Sequence, residues 1–181
     1  MIVRFTRTSP DKHRFEYRLP NGEGEAIELE TRSALYHDLL HYAVETEAGL
    51  RGSFYGLLAK VGGYAELVVG GGAALGGEVA ITEALVGALT GAFKAETLDP
   101  AALIGQFKAY ADLFDWRMPP WLTEAFVLAV KERMRQLEGR WRATPFGATC
   151  IPYVITSAPR AMRNAATRSP ESSCTARYFH A

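Results

Sequence analysis

A change of hydrophobic period near Thr31 constrains this chain more than any other feature. Before it, apolar residues alternate singly with polar ones. Val3 and Phe5 alternate with Arg4 and Thr6; His13, Phe15, Tyr17 and Leu19 with Arg14, Glu16 and Arg18; Ile27 and Leu29 with Ala26, Glu28 and Glu30. A period of two with one apolar face is the pattern of a half-buried strand. Ser9-Pro10-Asp11 and Pro20-Asn21-Gly22 supply the reversals between these runs. The reading is a three-stranded antiparallel meander. Its polar face sets Arg14 and Arg18 near Glu28 and Glu30, where opposite charges pair across strands.

Beyond Thr31 the period becomes helical. Thr31 or Ser33 caps a helix running to about Ala48, and Gly49 ends it. A second helical piece covers Phe54 to Val61, and Tyr64 to Val69 supports only a short turn of helix. Glu78 to Lys94 forms a third helix. Asp99 before Pro100 is an N-cap followed by proline at the first helical position. It opens a helix whose Leu103, Ile104, Phe107, Tyr110, Ala111 and Phe114 follow amphipathic spacing. Pro119-Pro120 restarts the chain into a fifth helix. Lys131, Arg133 and Arg135 fall in its last turns and Gly139 lies beyond. Arg140 to Ala143 then reads as a short strand that turns Trp141 inward and joins the sheet. The fold class is α+β, with about five helices packed on one face of the meander.

Residues 1–146 form a single α+β domain in this reading. Residues 147–181 contain no Leu, no Lys and one acidic residue, Glu171. So abrupt a change fits a poorly ordered tail, and equally a reading frame that shifts near Gly147.

Charge and cysteine content bound the function. Lys+Arg and Asp+Glu number 20 each, so the net charge is zero and no global field draws the chain to nucleic acid or an anionic membrane. The most apolar stretch, Leu67 to Phe93, is interrupted by Glu78 and Glu83, and the uncharged pieces this leaves are too short to span a bilayer. The opening residues show no signal-peptide pattern. Two cysteines, Cys150 and Cys174, make no disulfide framework, and a cytoplasmic protein is expected.

Chemistry concentrates at His37-Asp38-Leu39-Leu40-His41. Residues i and i+4 are neighbours on a helix surface, so two neutral imidazoles can reach one ion. A divalent transition metal, zinc first, would take His37 and His41 plus a carboxylate from another element. Helical projection puts Glu78 on the apolar arc of the third helix, where a buried carboxylate needs a partner, and makes it the first choice. Glu83, at the edge of that arc, is the second. Asp38 and Glu45 are the candidate catalytic residues, to orient a ligand histidine or handle a proton. Glu47 falls within the apolar arc of the first helix and calls for a partner such as an arginine. His37 and His41 themselves flank that arc.

The pentapeptide resembles the HExxH motif of zinc peptidases, with Asp38 where that motif has its glutamate general base. It is also similar to the HDxxH-x11-E zinc motif of a ubiquinone-biosynthesis accessory family, through His37, Asp38 and His41. Ser53 stands where that family has its final glutamate. The His-Asp pair of HD phosphohydrolases is a poorer likeness, since His13, the sole upstream histidine, lies in a strand.

Two other segments yield less. Gly70 to Gly77 precedes a helix as phosphate-binding loops do, yet Glu78 occupies the place of their lysine, so it reads as a connection. Arg133, Arg135, Arg140 and Arg142 around Trp141 form a basic stretch that the zero net charge assigns to a solvated helix end. The expected function is a small metal-binding protein, with a metal-dependent hydrolase as its enzymatic form. Its partner would be a small-molecule substrate or a protein. The alternative is a non-enzymatic protein-interaction module without metal.

Overall fold

The computed structural model describes residues 1–69, 77–94 and 98–154. Four antiparallel strands form one sheet in the order β3-β2-β1-β4: β1 Ile2–Arg7, β2 Lys12–Arg18, β3 Gly24–Glu30 and β4 Thr149–Val154. The meander is thus as expected. Ser9 Oγ accepts hydrogen bonds from the Asp11 and Lys12 amides in the first turn. Gly22 adopts φ 90° in the second, a left-handed conformation that glycine enters without steric cost.

The register stacks the inward residues in rows. Phe5 faces Phe15 and Val3 faces Tyr17. These four and His13 are fully buried. Each aromatic or aliphatic side chain so covered contributes about 1.5–3 kcal/mol. On the outer face Arg14 stands opposite Glu28, but the ion pairs formed are Arg4–Glu16, Arg18–Glu16 and Lys12–Glu28.

Six helices among the described residues cover the inner face. A π-helical turn, Thr31–Leu35, leads into α1, Tyr36–Ala48, which ends at left-handed Gly49. Then come α2 Phe54–Val61, α3 Tyr64–Val69, α4 Gly77–Lys94, α5 Pro100–Leu113 and α6 Glu124–Ala143. Asp99 accepts from the Ala101 and Ala102 amides and caps α5 as expected. α1 is the central helix. It packs against α4 and α6 and buries every residue from Asp38 to Glu45. Arg133 on α6 donates to Glu47 at 2.6 Å, the arginine partner that Glu47 called for.

Three expectations change at the C-terminal side. α6 runs through Gly139 to Ala143, so Arg140 to Ala143 is helix and not a strand. Gly139 is a tolerated interior glycine, and Thr144, in extended conformation, closes the helix. Trp141 does turn inward, its ring 6.0 Å from the buried His13 imidazole. The strand beside β1 is instead β4, so 149–154 belong to the sheet and not to a tail that starts at 147. Residues 155–181 and Gly70 to Gly76 lie outside the described residues.

Candidate metal centre

α1 and α4 build the site, and α2 closes its inner side. The i, i+4 spacing stacks His37 over His41, with ring centroids 4.6 Å apart. Glu83, on α4, reaches between them. One of its oxygens lies 3.2 Å from His41 Nε2 and the other 3.7 Å from His37 Nε2. Ligand atoms of His37, His41 and Glu83 all fall within 4.8 Å of one another. Ligands held about 2.0–2.1 Å from a tetrahedral ion are themselves roughly 3.3 Å apart. Small adjustments would therefore bring all three onto one ion.

Each imidazole has a second carboxylate behind it. Asp38 Oδ1 lies 3.7 Å from His37 Nδ1, and Glu45 Oε1 lies 3.4 Å from His41 Nδ1. The order Asp38–His37–Glu83–His41–Glu45 leaves both Nε2 atoms facing Glu83 and both Nδ1 atoms facing a flanking acid. Only the Nε2 atoms of the two rings converge on one residue, Glu83, while their Nδ1 atoms point to separate acids, so Nε2 is the atom each ring could offer to a shared ion.

Burial grades across the site. His41 and Glu45 are buried, with side-chain exposures of 1% and 5%. His37 and Glu83 are about half exposed. His41 thus lies inside the core, where projection places it at the edge of the apolar arc. The centre of α1 is enclosed on several sides, by the sheet, α2, α4 and α6, so its buried arc is wider than a two-layer packing predicts.

The inner wall is anchored through α2. The Tyr55 amide donates to Glu45 Oε2 at 3.0 Å, and the Tyr55 hydroxyl donates to the Asp38 carbonyl at 2.9 Å. The Phe54 ring lies 5.6 Å from the His41 ring. Ser53, fully buried, sits at the entrance to α2. Even so, both His41 nitrogens, Glu45 Oε1, Asp38 Oδ2 and Ser53 Oγ are buried without an aligned hydrogen bond. Unpaired buried polar atoms each cost about 1–3 kcal/mol, and such a concentration is unusual away from a functional site.

The protonation pattern follows from the charges. Asp38 and Glu83 on its two sides raise the His37 pKa to about 9. Burial opposes charge on His41, but Glu45 and Glu83 outweigh it and raise its pKa too. The two histidines hold Glu83 far below the usual carboxylate range. Burial pushes Glu45 upward. At neutral pH the cluster without metal keeps protons that a metal ion would replace.

Glu78 lies apart from this group. It accepts a hydrogen bond from the Gly52 amide at 2.6 Å. Helical side chains tilt toward the N-terminus, so a residue in the first turn of α4 overhangs the helix end and meets the loop before α2. Glu83, more than a turn further in, stands level with the two histidines. Projection around the helix axis omits that axial offset, and so ranks Glu78 above Glu83.

No protein-family model, no curated protein and no solved structure matches this chain. Among the described residues, no helix is long and apolar enough to cross a membrane.

Proposed function

We propose that this chain binds one divalent transition metal ion through His37 Nε2, His41 Nε2 and Glu83, and that the loaded site is that of a metal-dependent hydrolase. The observation that carries the reading is the convergence of three ligand atoms from two helices within 4.8 Å. Three protein ligands with a coordination position left open are the hallmark of a catalytic zinc site, whereas structural sites are closed by four. The exposed sides of His37 and Glu83 give water and substrate a route to that position. A bound zinc ion would lower the pKa of its water to about 7 and so supply a nucleophile at neutral pH.

The flanking acids have separate parts. Glu45, buried and tied to the Tyr55 amide, positions His41. Asp38 orients His37. Zinc is the favoured ion because two imidazoles and one carboxylate suit it. Among the described residues Cys150 forms no disulfide, which fits a reducing, cytoplasmic setting.

The test is elemental analysis of chain purified without chelator or affinity tag. The expected result is about one transition metal per chain, lost in His41→Ala. The reading fails if no metal co-purifies and added Zn²⁺, Fe²⁺, Mn²⁺, Co²⁺ and Ni²⁺ leave the melting temperature unchanged.

A further inference from the structure

Ser53 carries a buried hydroxyl for which the roles above have no use. A serine at the N-cap of a helix ordinarily accepts a hydrogen bond from the amide two or three residues on. Ser53 holds that position in α2, in extended conformation, and its carbonyl accepts from the Leu57 amide at 2.8 Å. Its side chain nevertheless makes no capping hydrogen bond. The amide two residues on, that of Tyr55, donates to Glu45 Oε2 instead. A carboxylate from α1 has taken over the capping contact, and the serine hydroxyl is released from it.

That hydroxyl cannot turn to water in exchange, because Ser53 is 0% exposed. The loop around it is held down from both sides. The Gly52 amide donates to Glu78 on α4. A Cβ on Gly56 would lie 2.2 Å from the Arg51 carbonyl oxygen, so the loop crosses the first turn of α2 in backbone contact. Inside this enclosure the Ser53 hydroxyl neighbours the Glu45 carboxyl group and favours its charged form. Ser53 Oγ and Glu45 Oε1 both lack an aligned partner. The same Oε1 lies 3.4 Å from His41 Nδ1.

We infer that Ser53 is a positioning residue of the metal centre, its hydroxyl donating to Glu45 Oε1 and so fixing the carboxylate that orients His41. This role rests on the metal-binding reading of the site. A hydroxyl hydrogen rotates to suit its acceptor, so a small turn of the serine supplies the donor. Glu45 then receives the Tyr55 amide on one oxygen, and the Ser53 hydroxyl and His41 Nδ1–H on the other. A buried carboxylate stays charged only with such donors around it. With Glu45 held in this way, His41 keeps Nε2 directed at Glu83 and at the ion they would share. Without the ion, the unaligned hydroxyl adds nothing to stability, since a buried polar atom that lacks a partner is itself unfavourable. A positioning residue and a structural helix cap therefore respond in opposite ways to removal of the hydroxyl.

Ser53→Ala tests this through two measurements: zinc affinity in competition with a chromophoric chelator, and the melting temperature of metal-free protein. Zinc binding should weaken about tenfold or more, as loss of an outer hydrogen-bond partner does. The metal-free melt should stay in place or rise, whereas loss of a working helix cap would lower it by about 2–4 °C. In a Glu45→Gln background Ser53→Ala should take away little further affinity, because its effect passes through that carboxylate. Unchanged zinc affinity in Ser53→Ala, a lowered metal-free melt, or an undiminished further loss in the Glu45→Gln background overturns the role. Wild-type protein that binds no zinc refutes the metal reading itself, and the role of Ser53 falls with it.

Discussion

Exchanging each of the two α4 carboxylates for its amide separates a ligand from a helix-end residue. Glu83→Gln keeps the shape of the side chain and removes the negative charge that faces both His37 and His41. Glu78→Gln does the same five residues earlier, at the Gly52 amide. A ligand that binds only the folded state stabilises it by RT ln(1 + [L]/Kd), about 2.7 kcal/mol at a hundredfold excess over Kd. If losing the Glu83 carboxylate weakens binding about 100-fold, the same metal concentration adds only RT ln 2, about 0.4 kcal/mol. For a chain of this size 1 kcal/mol moves the midpoint by about 2–4 °C. Added zinc should therefore raise the melting temperature of wild type by roughly 5–10 °C and that of Glu83→Gln by about 1 °C. Glu78→Gln should show the full zinc-induced rise from a baseline lowered by about 0.3–1 kcal/mol, the helix-dipole contribution of an acid in the first turn. Differential scanning fluorimetry with zinc set by a metal buffer measures all three. An equal rise in wild type and Glu83→Gln would refute the ligand assignment, and a rise lost only in Glu78→Gln would return it to the other carboxylate.

Further outcomes follow from the same geometry. Glu45→Gln should lower metal affinity about 10–100-fold, as loss of a supporting hydrogen-bond partner does, in a competition titration against a chromophoric chelator; unchanged affinity would remove its positioning role. His13 is fully buried with both ring nitrogens unpaired, and burial lowers its pKa. The unfolded chain binds its proton near pH 6.5 while the folded chain resists it, so the protonation of His13 contributes no destabilisation above that pH and destabilises the fold progressively below it. His13→Phe should flatten the pH dependence of urea unfolding below about pH 6.5; an unaltered dependence would show that other groups cause it. A double-mutant cycle on Glu47 and Arg133, which form a partly buried charged hydrogen bond, should give a coupling of about 1 kcal/mol. Ending the chain at Phe146 removes β4 and bares the edge of β1, and should cost about 3 kcal/mol or more.

What could be read from the sequence divides along a physical line. Features set by neighbours in the chain were legible. The strand alternation, the Asp99-Pro100 start of α5, the Gly49 stop of α1 and the i, i+4 pair of histidines each depend on a few consecutive residues, and the structure has all of them. Glu47 could be paired with an arginine from periodicity alone, since a carboxylate inside an apolar arc has few other ways to be stabilised. Features set by contacts between distant segments were not legible. Nothing in Thr149–Val154 by itself indicates that β1 has an open edge to receive it; its polar, Leu-free context argues against a strand, and the ladder with β1 supplies what local pattern lacks. Gly139 has the composition of a helix stop, yet Met134 and Leu137 before it are anchored in the core and α6 continues to Ala143. Those contacts outweigh the roughly 1 kcal/mol that an interior glycine costs.

The site shows the same division within a few residues. The histidine pair belongs to one helix and could be found from spacing. The third candidate ligand depends on how far α4 slides along α1, and no periodicity encodes axial offset. His41 shows what that packing does chemically. Projection leaves it at the margin of an apolar stripe, where an imidazole is a partly solvated base. In the fold it is 1% exposed, with a carboxylate on either side and no aligned hydrogen bond to either. Burying an imidazole between two acids is costly unless a proton or a metal ion neutralises them. Glu45 cannot move away, because the Tyr55 amide holds it, while Glu83 is half exposed and free to shift. The inner half of the centre is thus rigid and the outer half adjustable. Under the proposed metal-binding reading, a cation would enter from solvent, take up His41 where it already stands, and draw His37 and Glu83 onto itself.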